Sequence, residues 1–206
     1  MMFASSFITI IGFLLTWYIF GPAKTYGVCK LSPQKPANIA RIQDYWNQGI
    51  HYSSEENWPL ATRAFREVLA IDKNYLGANQ NLGSAYLARK DYKDAEESFD
   101  KELQLIDCLS AVGSNGLPKF GYMMPASSKN AGDDYKQRLD EAQEVTHFDL
   151  ACLRARESDK WGAAQELNAI KHRSIAKDIF INDPDLKSMR QSPEFKNAVA
   201  SSPPAR

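Results

Sequence analysis

Four residues of this chain recur in register at a fixed distance. Gly49, Tyr52, Ala61 and Phe65 return as Gly83, Tyr86, Ala95 and Phe99, every pair 34 residues apart. A period of that length describes a unit of two helices and a turn, too small to bury its own apolar face, so successive units must stack. The residue types suit stacking. Glycine and alanine remove side-chain volume where helices meet, and the aromatic rings fill the space between pairs. The pattern predicts helices over 39–54, 59–72, 75–89 and 92–107, with Pro59 at a first turn and Asp91 as an N-cap.

A divergent third copy lies in phase. Leu150-Ala151 follows Leu82-Gly83 by twice the period, Ala163 and Leu167 take the alanine and phenylalanine positions, and Arg154 replaces the tyrosine. Ser158 and Asp159 offer caps for its second helix. Residues 109–132, with four glycines, two prolines and no helical periodicity, read as a loop. Its centre holds Phe120, Tyr122, Met123 and Met124, which serve either as filler against the helices or as an adaptable partner contact. Asp183-Pro184 and Ser192-Pro193 each supply an N-cap followed by proline at the first helical position, which predicts two short closing segments.

The spacing G-x2-Y…A-x3-F, with Leu82 before the second glycine, resembles the tetratricopeptide repeat. Tyr45 stands where the first copy would carry tryptophan. The stretch from Phe148 to Ile170 and the tail from Ile181 to Val199 resemble the last hairpin and the closing segment of bacterial members. The resemblance spans roughly residues 40–200 and implies an all-α, tetratricopeptide-type helical-hairpin solenoid. Its repeats would cover about 42–75, 76–109 and 144–177, with a cap over 178–200, in one domain of residues 39–200. It also implies a concave groove that binds proteins, lined by Gln43, Trp46, Ile50 and Ser53, by Gln80, Ser84 and Leu87, and by Phe148, Cys152 and Arg156. Members that grip a chaperone's C-terminal carboxylate hold lysine and asparagine where this chain has Trp46 and Ile50, so that clamp is missing. Trp46 is either the groove's anchor or packs against the segment that precedes the domain.

Residues 3–20, FASSFITIIGFLLTWYIF, carry no charge. As a helix they would extend about 27 Å, close to the hydrocarbon thickness of a bilayer. Trp17 and Tyr18 fall where amphipathic rings favour the interface, and Gly21-Pro22 stops the helix. The expectation is one transmembrane anchor over 1–23 and a linker over 24–38, with a cleaved secretory signal as the competing reading. Lys24, Lys30, Lys35 and Arg41 follow the apolar run and nothing basic precedes it, which favours the cytoplasm for the repeat domain by the positive-inside rule, with the periplasmic or extracytoplasmic side as the alternative.

Residues 1–43 hold four bases and no acid, leaving 21 basic against 25 acidic residues in the remainder. A mildly acidic domain does not attract nucleic acid. Cys29, Cys108 and Cys152 show no zinc-ligand spacing, and three cysteines cannot all pair within one chain. Cys152 reads as a buried structural thiol, with a Cys108–Cys152 disulfide as the alternative in an oxidising compartment. Of the three histidines only His147 stands near a nucleophile, Cys152, and a helix interior offers no oxyanion hole. Glu96, Glu97 and Glu102 read as a solvated helix face. The expectation is a protein without catalytic, cofactor or metal sites, which binds the bilayer through residues 3–20 and holds a membrane-associated protein partner. It would act as a scaffold or assembly factor, or alternatively as a permanent structural subunit of a membrane complex.

Overall fold

The computed structural model describes residues 35–112, 131–170 and 177–201, and no strand occurs among them. The protein is all-α. The chain forms α1 (Pro36–Ser54), α2 (Trp58–Ile71), α3 (Ala78–Ala88), α4 (Tyr92–Val112), α5 (Ala131–Arg156) and α6 (Lys160–Ala169). A short α7 (Lys177–Asn182), a 3-10 helix (Asp185–Met189) and α8 (Pro193–Ser201) close it. Each helix from α1 to α6 packs on the next, and the tail packs on α5 and α6.

The backbone repeats as the sequence does. The three residues connecting each helix pair contain one with positive φ: Glu56 at 56°, Lys90 at 67° and Ser158 at 67°. They stand 34 and 68 residues apart. Around each, the same hydrogen bonds form in phase. The amides of Asn57, Asp91 and Asp159 donate to the carbonyls of Tyr52, Tyr86 and Arg154, closing the first helix. The amides of Ala61, Ala95 and Ala163 then donate to Asn57, Asp91 and Asp159, opening the second. The Asp159 carboxylate also accepts from the Gly162 amide at 2.9 Å, the expected cap.

Glycines mark the tightest contacts. A Cβ on Gly49 would stand 2.5 Å from the Phe65 ring, and one on Gly83 would stand 2.5 Å from Phe99. In the third hairpin the pair becomes Ala151 and Leu167, both buried in the main core, so added backbone-side volume accompanies a smaller facing side chain. Ala61, Ala95 and Ala163 are each fully buried. Between hairpins, Arg66 donates to the Tyr86 hydroxyl, and Arg154, at the equivalent position, pairs with Glu96.

Helix α1 starts three residues earlier than expected, inside the range read as linker, and α3 three residues later, but the largest differences fall at two boundaries. Helix α4 runs to Val112 and α5 begins at Ala131, so both intrude on the range read as a loop. The early turns of α5 are held by a second apolar cluster in which Tyr135 and Leu139 meet Leu105, Ile106 and Leu109. The Tyr135 hydroxyl donates to the Leu109 carbonyl at 2.9 Å. The Ser192-Pro193 segment forms as read, whereas the first closing segment starts one residue later than expected, with Pro184 at its N-cap. Asp183 and Ser192 accept from the amides of Asp185 and Phe195, and Leu186, Met189, Phe195 and Ala198 join the main core.

No helix among the described residues is long and apolar enough to cross a membrane. The expected anchor at 3–20 and the aromatic and methionine residues of 120–124 lie outside the described residues.

Candidate protein-binding cleft

The first helices of the three hairpins meet around a cavity of about 370 Å³. Trp46 of α1 forms one wall, and Gly77, Gln80 and Asn81 line the start of α3, preceded by Tyr75 and Leu76. Arg138, Glu141, Ala142 and Val145 of α5 form the opposite wall. Its surface is mixed: an indole, aliphatic groups, two amides, and one charge of each sign.

Trp46 serves the core and the cleft together. Its ring meets Phe65 edge-on at 5.7 Å and Tyr75 at 5.1 Å, while half-burial leaves the remaining edge on the cavity. Gly77 sits beside it with φ of 86°, where a Cβ would approach the indole at 3.3 Å. That left-handed turn starts α3 and aims its free amides inward.

Those amides meet a buried carboxylate. Glu102 accepts from the amides of Gly77 at 2.6 Å and Gln80 at 3.3 Å, and is fully buried. Reading Glu102 as solvated is therefore a misreading. It lies seven residues after Ala95 and three after Phe99, on the buried stripe of α4. Burial pushes its carboxyl up to about 7, opposed by the backbone hydrogen bonds that it accepts. Glu97 remains on the surface, bonded to Lys101 at 2.7 Å, and Glu96 holds Arg154.

Of the residues expected to line the groove, the structure brings Trp46 and Gln80 to the cavity. Gln43 and Ile50 are exposed and Ser53 is half-buried, all outside its lining. Leu87 is 6% exposed within the core, so it presents little surface to a partner. Ser84 and Gln80 both donate to Asp149 of α5, a bridge that joins the first helices of the second and third hairpins. Burial raises the Asp149 carboxyl to about 6, against the pull of these two donors.

The remaining expected residues are in contact with the chain's own tail. Phe148 stacks on Phe180 at 5.6 Å, and Arg156 pairs with Asp185 at 2.8 Å while donating to the Leu87 carbonyl at 2.9 Å. The Cys152 thiol, 4% exposed, points to Asp183, and burial and the neighbouring carboxylates push its pKa up. Such a thiol carries little thiolate, the form that attacks or ligates. His147 bonds to Glu166 at 2.8 Å instead of to the thiol. Cys152, Asp183 and Asp185 lie near one another, with the Arg156 guanidinium already on Asp185.

Tyr75, Leu76, Gly77, Asn81, Arg138, Glu141, Ala142 and Val145 were not anticipated. Four of these eight belong to the first and middle turns of α5, ahead of its repeat motif. The apolar spacing Tyr135, Leu139, Ala142 is the signal that identifies this helix.

Compared with family models, curated proteins and solved structures, the chain matches none.

Proposed function

We propose that this protein is a tetratricopeptide-type solenoid, anchored to a membrane through residues 3–20, that holds a segment of a partner protein as a scaffold or assembly factor. The observation that carries this reading is the cavity between α1, α3 and α5. Three hairpins, the third displaced by twice the period, each contribute their first helix to it, the side on which relatives of this architecture bind. The groove narrows to its first half, because Phe148, Cys152 and Arg156 are engaged by side chains of the tail.

The cleft's chemistry suits an extended segment with an apolar side chain against Trp46 and polar backbone toward Gln80 and Asn81. Arg138 is exposed and Glu141 half-exposed, which makes them the residues to alter without disturbing the core. Protein captured from solubilised membranes by the tagged full chain should be lost on Arg138→Glu together with Glu141→Lys, with helical content unchanged. Undiminished capture by that double variant contradicts the assignment of the cleft.

A further inference from the structure

The first hairpin lacks a neighbour that the other two possess. Helix α2 packs on α3 and α4 packs on α5, so each later hairpin is covered on one side by the second helix of its predecessor. Register sets which residues that side contains. Leu82 and Tyr86 of α3 are 7% and 5% exposed, with the Arg66 guanidinium 5.5 Å from the centre of the Tyr86 ring, and Leu150 of α5 is 2% exposed. Their counterparts on α1, 34 residues before Leu82 and Tyr86, are Gln48 and Tyr52. No helix precedes α1 among the described residues, and Gln48 is exposed and Tyr52 half-buried. With Tyr45, Leu60, Arg63, Ala64 and Glu67 they line a depression of about 150 Å³ on the outer edge of the hairpin. We infer that this edge is a self-association face, on which a second copy of the chain stacks about a two-fold axis.

Two observations select that occupant. The first is continuity, since both hairpin boundaries within the chain are closed by another hairpin of the same kind, and this edge carries the same register positions. The second is charge. Leu60, Arg63, Ala64 and Glu67 follow one another at the spacing of a single helix face, which puts one cation and one anion a turn apart on α2. Neither forms an ion pair among the described residues. A face with one charge of each sign is complementary to itself under a two-fold rotation. Antiparallel α2 helices set Arg63 of one copy against Glu67 of the other, and the reverse, whereas a partner surface of a single sign leaves one of the two charges opposed.

The side chains fit an interface that forms between already folded chains. Ala64 is buried and small, which lets a second helix approach its backbone. Tyr45 and Tyr52, both half-buried, offer rings for apolar contact and hydroxyls for the wet rim, and tyrosine and arginine are the residue types in which such interfaces are rich. Gln48 stands where the later hairpins bury Leu82 and Leu150, so the edge stays soluble before it is covered. None of these residues lines the cleft between α1, α3 and α5, so association leaves two clefts available on one assembly.

The test is the mass of the full chain in detergent, followed by sedimentation velocity through the micromolar range. The unmodified protein is expected to sediment as a dimer. Arg63→Glu alone and Glu67→Arg alone should each raise the dissociation constant by about tenfold or more, because like charges then meet twice across the axis. Arg63→Glu combined with Glu67→Arg should bring it back, since the exchanged charges still pair. Circular dichroism should show the same helical content in all four proteins, and protein capture through the cleft should persist in the monomeric variants. Failure of the edge and failure of the cleft are thereby read separately. An unmodified chain that is monomeric, as when residues before α1 or a different protein cover the edge, overturns the inference. So does a dimer indifferent to both single changes, or a double variant as weakly associated as the single ones.

Discussion

Gly83 tolerates nothing larger than hydrogen, because a Cβ there already falls inside the contact distance of the Phe99 ring. Gly83→Leu should cost about 3 kcal/mol, the upper end for overpacking, and lower the thermal midpoint of the detergent-solubilised chain by about 6–12 °C. An unchanged midpoint contradicts the contact. The glycine was legible from sequence because its period and its partner's period agree. Glu102 was not, because its neighbours on the chain are charged and its burial depends on the free amides of a helix 25 residues earlier. Its carboxyl is raised, so the folded state prefers the proton. The stability it contributes is complete below about pH 4.5 and is lost as pH rises through about 7. The loss amounts to roughly 3 kcal/mol, and Asp149 acts in the same direction. Thermal midpoints should fall from pH 5 to pH 8, and Glu102→Gln should flatten that slope. A slope unaffected by the substitution contradicts the assignment.

Each hairpin turns on one residue in the left-handed region, and none of the three is glycine. Such a conformation costs an L-residue about 1 kcal/mol, which glycine avoids. Lys90→Gly should therefore stabilise the chain by several tenths to about 1 kcal/mol, despite the greater freedom of the unfolded state. Denaturant midpoints of the two proteins check this, and a destabilised variant would mean that the Lys90 side chain contributes contacts. These turns could be placed from sequence only to within a few residues, since Glu56, Lys90 and Ser158 share a position and no side-chain chemistry. Helix α5 was legible in its second half, where the repeat register continues. Its first half was obscured because it packs on the extension of α4 through a separate cluster, with no counterpart in the other hairpins.

At the scale of the whole molecule, the tail and the cleft divide the inner surface between them. The sequence predicted two short closing segments, and the resemblance implied a cap over 178–200. It did not show that Phe180, Asp183 and Asp185 would occupy the face to which Phe148, Cys152 and Arg156 belong, because non-local packing leaves no period to read. Trp46, the anchor expected from sequence, is also a core residue. Trp46→Ala should consequently lower both partner capture and stability, the latter by less than the roughly 3 kcal/mol of a fully buried aromatic, so it cannot by itself locate the binding face. A photo-crosslinking amino acid placed singly at Gln80, Arg138 and Glu141, and at Lys93 and Glu97 on the outer helix, separates the two effects in intact membranes. Discrete adducts to the same protein from the three cleft positions, and none from the outer pair, are the predicted result. Adducts from the outer pair alone, or equally from all five, contradict the claim that this protein holds its partner between α1, α3 and α5.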